Sequence, residues 1–210
     1  MLFRSRAQQK KEFVRRPTRD LHRSTIGIVG LGGVGRRVAE VLSPFKTQIL
    51  ATDWYPIDKP PQVAELLPPD RLDEILPRID ILILCVPLTD RTRNMIDAKV
   101  IAKLRRGSIL INVARGPLVV EADLVAALES GHLAAAAMDV TYKEPLPPES
   151  RLWEQTNVII TPHVGGQSAR RIDDMTDFFC ENIRRYQTGQ PLRNLLEDKS
   201  LGFPTRRIGH

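Results

Sequence analysis

From residue 25 onward, short apolar runs alternate with amphipathic stretches. Six runs read as strands: Ile26–Val29, Gln48–Thr52, Asp80–Cys85, Ser108–Val113, Leu133–Asp139 and Asn157–Ile160. Apolar runs of about four to eight residues bounded by turn residues fit parallel strands buried on both faces. Helical spacing falls between them, over Val34–Leu42, about Asp97–Leu104, and Glu121–Ser130. The last opens on Glu121 and Asp123 and stops at Gly131, as the helix dipole and C-terminal geometry favour. A longer helix over Ser168–Thr188 ends at Gly189 with Pro191 just beyond. This alternation predicts βαβ units in an α/β fold.

One stretch breaks the rhythm. Pro56, Pro60, Pro61, Pro68 and Pro69 crowd the region Tyr55–Pro77. Proline fixes φ and removes a donor, so the region reads as a loop followed by one short helix around Arg71–Leu76. There are no internal repeats and no low-complexity segments.

Composition narrows the class. The chain has 210 residues, 42% apolar and 27% charged, room for one domain or two small ones. No apolar run approaches the roughly 18 residues of a membrane helix. Two cysteines, Cys85 and Cys180, cannot build a disulfide framework, which points to a reducing compartment and a cytoplasmic chain. No cluster has metal-ligand spacing, so no metal is expected.

The net charge of +6 lies in the head alone. Residues 1–23 hold Arg4, Arg6, Lys10, Lys11, Arg15, Arg16, Arg19 and Arg23 against Glu12 and Asp20. Residues 24–210 balance, with 23 basic and 23 acidic side chains. Three readings of the head compete. A targeting peptide suits Met1–Arg6 but not Glu12 and the Lys/Gln stretch. A nucleic-acid arm would interleave aromatics with the cations, and the head has almost none. A solvated helix face whose partner lies elsewhere fits best.

The sharpest motif is Ile26-Gly27-Ile28-Val29-Gly30-Leu31-Gly32-Gly33-Val34-Gly35. A strand runs into Gly-x-Gly-x-x-Gly at Gly30, Gly32 and Gly35, and a helical pattern follows. Gly30 permits the tight turn, Gly32 lets backbone approach a pyrophosphate, and Gly35 allows close helix–strand packing. The helix start at Gly33 and Val34 then offers free N–H groups to the phosphates. Asp53 ends the second strand, eighteen residues after Gly35, where a carboxylate receives the adenosine ribose hydroxyls. It would repel a 2′-phosphate, so NAD is favoured over NADP. This context predicts a Rossmann-like doubly wound parallel sheet with helices on both faces.

Three segments at later strand ends carry candidate chemistry. They are Asn112-Val113-Ala114-Arg115-Gly116, then Met138–Pro147, then Thr161-Pro162-His163-Val164-Gly165-Gly166. Each alone has a bland reading as surface charge, loop or structural histidine. Together they supply a cation, an acid and an imidazole on one edge of a nucleotide fold. His163 would take the hydroxyl proton of a 2-hydroxy acid as hydride leaves its C2. Glu144 would hold the imidazole and stabilise its cation. Arg115 would bind the substrate carboxylate, which its fork matches bidentately, or polarise the carbonyl oxygen. Asp139 would accept from the nicotinamide carboxamide. Val113, Ala114, Gly165 and Gly166 flank these groups as cofactor-lining positions.

At these residues the sequence resembles the NAD-binding domain of the D-isomer-specific 2-hydroxyacid dehydrogenases. The resemblance runs from about Leu21 to Leu196 through Gly30–Gly35, Val86–Thr92, Ile111–Gly116, Asp139–Pro147 and Asn157–His163. It implies a catalytic set of Arg115, Glu144 and His163, with Val86 and Pro87 on the dinucleotide-lining turn and Thr92 as a further contact. Gly33 stands where many members carry Arg. The resemblance also implies a small 2-hydroxy or 2-keto acid as substrate, a homodimer, and no nucleic-acid or membrane partner.

Family members place a substrate domain of about a hundred residues before the glycine-rich strand, and this chain has 24 residues there. Residues 1–24 are therefore expected to be a basic linker-helix remnant, and 25–166 the NAD-binding domain. Residues 167–210 would be a helix and tail returning toward the absent domain. Such a chain is expected to bind NAD in weakened form and to turn over poorly alone. The alternatives are a non-catalytic NAD(H)-binding regulatory or scaffold module, and a nucleic-acid binder driven by the head.

Overall fold

The computed structural model describes residues 8–13, 15, 18–56 and 58–204. Seven strands form one sheet: β1 Thr25–Val29, β2 Gln48–Thr52, β3 Glu65–Leu67, β4 Ile81–Leu84, β5 Ser108–Asn112, β6 Leu133–Met138 and β7 Val158–Ile160. Every pairing is parallel, in the order β3-β2-β1-β4-β5-β6-β7. This is a Rossmann-like, doubly wound arrangement with one strand added beyond the usual six.

Alternation along the strands sorts the core into two layers. Leu82 and Leu84 of β4 face one side, with Leu50, Leu110 and Met138. Against them pack α2 (Leu72–Ile75), α3 (Ala98–Lys103) and α4 (Glu121–Glu129). Ile81 and Ile83 face the other side with Ile26, Ile28 and Ile49, under α1 (Gly33–Leu42). Helices therefore cover both faces, as the sequence predicts. Truncating one such fully buried leucine costs about 2–5 kcal/mol.

Local chemistry sets the helix ends. The Asp97 side chain accepts from the Val100 N–H at 2.9 Å and starts α3. Gly131, at φ 67°, ends α4 at the predicted stop. The helix α5 (Arg171–Gln187) ends at Gly189, φ 68°, with the Gln190 N–H returning to the Arg185 carbonyl at 2.8 Å. Its Ile172, Met175, Phe179 and Ile183 form one apolar face that stays exposed.

The proline-crowded stretch is the correction to the sequence reading. It holds a strand, β3, paired with β2 from Leu50↔Glu65 to Thr52↔Leu67. Three residues at a sheet edge are too short to show a period, and prolines bracket them. The short helix after it is present as α2, framed by 3₁₀ turns.

Of the basic head, Arg4, Arg6 and Arg16 lie outside the described residues, and so does most of the expected helix. Gln8 and Gln9 are helical, and the turn closes with the Lys11 N–H on the Gln8 carbonyl. Arg19 reaches across to donate to the Gly107 carbonyl at 2.6 Å, beside the start of β5.

The register delivers the site. Val29, Thr52, Leu84, Asn112, Met138 and Ile160 are paired neighbours in one row across the sheet. The residues that follow them are Gly30, Asp53, Cys85, Val113, Asp139 and Thr161. All candidate groups thus leave the sheet from its carboxyl edge, where open α/β sheets bind ligands.

Candidate active site

The glycine loop has the shape of a phosphate cradle. Gly30 sits at φ 92°, and a Cβ there would meet Val86 at 2.7 Å and the Cys85 backbone at 2.9 Å. A Cβ on Gly35 would fall 2.1 Å from the Gly30 carbonyl oxygen, so only glycine lets α1 pack here. In front of Gly32 and Gly33 there is open space, with no heavy atom within 4 Å of a Cβ. The first turn of α1 carries no acidic side chain, and its N-terminus is capped by no side chain. Donors, dipole and vacant volume together suit a pyrophosphate.

Asp53 braces this loop. Its Oδ2 accepts from the Leu31 N–H at 2.5 Å and its Oδ1 from the Tyr55 N–H at 2.9 Å. A cavity of about 790 Å³ opens beside it, lined by Gly30, Gly32, Gly33, Asp53, Val86, Pro87 and Thr92 among others. The Thr92 hydroxyl donates to the Pro87 carbonyl at 2.7 Å and accepts from the Thr89 N–H at 2.8 Å. Its immediate work is to shape the turn bearing Pro87.

The remaining predicted residues lie outside that cavity. Gly35 is buried under the loop, and Val34 points outward, 58% exposed. Val113, Ala114, Asp139, Gly165 and Gly166 belong to the loops after β5, β6 and β7. Arg115, Glu144 and His163 are there too, none of them lining the cavity. The site has two parts along one sheet edge.

Three contacts assemble the second part. The His163 Nδ1 lies 2.7 Å from Glu144 Oε2, with both side chains about half exposed. Glu144 Oε1 takes the Thr141 N–H at 3.1 Å, which holds the acid's loop in shape. Gly116 lies against the Thr141 backbone, so the Arg115 loop and the Glu144 loop are pressed together. The Arg115 guanidinium donates to the Ala114 carbonyl at 2.6 Å and is otherwise exposed.

Asp139 anchors the histidine loop. Its Oδ1 accepts from the Thr161 hydroxyl at 2.5 Å and the Val164 N–H at 3.0 Å, and its Oδ2 from the Gly165 N–H at 2.8 Å. Burial favours the neutral acid, but these three hydrogen bonds and the nearby His163 outweigh it and hold the carboxyl below its ordinary range. A carboxylate offers about four acceptor sites, so Oδ2 keeps capacity for one further donor.

Several residues in the site went unassigned in the sequence reading. Asn112 is fully buried, its Oδ1 taking the Ala114 N–H at 3.1 Å and its Nδ2 donating to the Arg115 carbonyl at 2.9 Å. An asparagine closing an apolar strand was the available signal, since strands disfavour it. Thr161 has no comparable signal, nor do Tyr55 and Phe203, which both line the cavity and whose rings touch edge to face at 6.1 Å.

Residues 2–165 match the family profile of the D-isomer specific 2-hydroxyacid dehydrogenase NAD binding domain. The chain belongs to this family. Glycerate dehydrogenase of Methylorubrum extorquens is 35% identical over 184 residues, 86% of this chain and 55% of that protein. Glyoxylate/hydroxypyruvate reductase B of Yersinia enterocolitica is 35% identical over 186 residues, 87% of this chain and 56% of that one. NADPH-dependent glyoxylate/hydroxypyruvate reductase of Sinorhizobium meliloti, solved with NADP and sulfate, superposes with a TM-score of 0.86 at 32% identity. It covers 96% of this chain and 64% of that one. This dehydrogenase-family chain spans about a third to just over half the length of the curated relatives it matches. Its glycine cradle suits the cofactor class of the family, a nicotinamide dinucleotide.

Proposed function

We propose that this chain is the nucleotide-binding module of an oxidoreductase acting between NAD(H) and a small D-2-hydroxy acid or 2-keto acid. One observation carries the reading: the His163–Glu144 pair at 2.7 Å, on a loop edge that Gly116 joins to Arg115. The bound nicotinamide supplies the hydride acceptor, or the donor in reverse. With Nδ1–H donating to Glu144, His163 keeps Nε2 for the substrate oxygen, taking or returning its proton. Glu144 stabilises the imidazolium so formed. Arg115 meets the substrate carboxylate, and Asp139 uses its remaining acceptor site for the carboxamide.

Val34 and Gly35 serve the phosphates through their N–H groups, while Val113, Ala114, Gly165 and Gly166 line the nicotinamide end. Asp53 supports NAD over NADP, because a carboxylate opposes a 2′-phosphate. Residues 25–166 are the cofactor domain in this reading, with 1–24 as linker and 167–210 as the closing helix and tail. The exposed apolar face of α5 supports a homodimer. Two free cysteines, and no described helix long and apolar enough to cross a membrane, support a cytoplasmic protein without a membrane partner. The balanced charge of residues 24–210 argues against a nucleic-acid partner.

The test is oxidation of NADH with glyoxylate or hydroxypyruvate, beside a fluorescence titration of NADH. His163→Gln is expected to lower turnover by about 10²- to 10⁴-fold and leave NADH binding unchanged. A second reading, an NAD(H)-binding regulatory module, is favoured by the cavity's stopping short of the catalytic trio. Wild-type binding with no turnover of either keto acid decides for it.

A further inference from the structure

The segment after α5 lies along the cofactor groove. Pro191, Leu192, Leu195, Leu201 and Phe203 line the cavity opposite Gly30, Gly32, Asp53 and Pro87. Its base is fixed by two hydrogen bonds between Asn182 and the Arg193 backbone, at 2.9 and 3.2 Å. An Arg193–Glu181 ion pair at 2.7 Å adds to them. Its far end presses on the Pro87 turn: at Gly202, φ 70°, a Cβ would stand 3.1 Å from Thr89 and 3.2 Å from Pro87. One position later, the Phe203 ring meets the Tyr55 ring edge to face, at 6.1 Å and 85°.

The order of groups along the groove gives this wall its meaning. The pyrophosphate cradle is at Gly30–Gly33, and the ribose carboxylate, Asp53, comes next. Tyr55 is two residues beyond Asp53 and linked to it through the Tyr55 N–H. The base of the nucleotide must continue in that direction, toward a pair of aromatic rings. About 790 Å³ stays open in the cavity that the segment and the glycine loop line together, so the segment does not fill it.

We propose that residues 191–204 form a wall of the adenosine subsite, with Phe203 and Tyr55 holding the adenine ring, an inference that rests on the nucleotide-binding reading above. A purine offers two apolar π-faces, and an aromatic side chain packs favourably on either. The segment is thus a determinant of cofactor affinity at the end remote from the chemistry.

The full chain tests this by titration with NADH, ADP-ribose and reduced nicotinamide mononucleotide. Phe203→Ala should weaken NADH and ADP-ribose by the same factor, roughly tenfold, at the low end of a single stacking contact. Reduced nicotinamide mononucleotide, which lacks adenosine, should be unaffected, and Phe203→Tyr should restore wild-type affinity. Gly202→Val, which lifts the segment from Pro87 and Thr89, should match the alanine variant. Unchanged NADH affinity in Phe203→Ala overturns the proposal. So does tighter binding, which would make the segment a plug, or an equal loss for all three ligands. Failure of the wild type to bind NADH would instead remove the nucleotide reading itself, and this inference with it.

Discussion

A Cβ atom on Gly116 would stand 1.7 Å from the carbonyl oxygen of Thr141. Nothing but glycine fits between the loop that carries Arg115 and the loop that carries Glu144. Gly116→Ala must push them apart, at a cost of about 1–3 kcal/mol. For a chain of this size each kcal/mol lowers the melting midpoint by roughly 2–4 °C. Calorimetry should show that drop together with lost turnover, and an unshifted midpoint would contradict the close approach.

The depressed Asp139 carboxyl makes a pH prediction. A group whose folded-state pKa lies below its unfolded value stabilises the fold above the unfolded value. That contribution fades as pH falls through the folded one. Asp139→Asn should therefore melt well below wild type near neutral pH, since Asn puts a donor where the Gly165 N–H now points. The gap should narrow on descending below about pH 4, where aspartate ordinarily titrates. A constant gap down to pH 2 would show that charge is not what Asp139 supplies.

Cys85 follows β4 and is held in apolar surroundings that push its thiol up to about 12. Only about one thiol in 10⁴ is then ionised at pH 8, and the thiolate is the reactive form. Iodoacetamide at pH 8 should label Cys180 in the native chain well before Cys85. Peptide mass mapping reads the order directly, and first labelling at Cys85 would reverse the assignment.

In the proposed function, Asp53 is the position that separates the two dinucleotides. Asp53→Asn keeps the side chain's size and one acceptor for the Leu31 or Tyr55 N–H, but removes the charge facing a 2′-phosphate. The NADPH-to-NADH affinity ratio should rise about tenfold, a shift of roughly 1.4 kcal/mol. An unchanged ratio would place the ribose elsewhere.

The parallel core and the glycine cradle were legible because their signals are local. Ile26–Val29 running into Gly30, Gly32 and Gly35 needs no distant partner to be read. Arg115, Glu144 and His163 could be named singly, and the structure brings Glu144 and His163 into hydrogen-bond contact. The join at Gly116 was not readable, since its reason, the Thr141 carbonyl, lies twenty-five residues away. β3 stayed hidden because three residues among prolines carry no periodicity. Phe203 stayed hidden because a ring in an irregular tail has meaning only once the fold lays it beside Tyr55.

Asn112 ties the interior to the cleft. It has no exposed surface, yet both halves of its amide hold the backbone that presents Arg115. The direction of that cation is therefore decided from inside the sheet, by the packing around the end of β5. Repacking Leu110 or Met138 beside it would redirect the Arg115 backbone without touching a single surface atom. Selection on the core and selection on the chemistry meet at one amide.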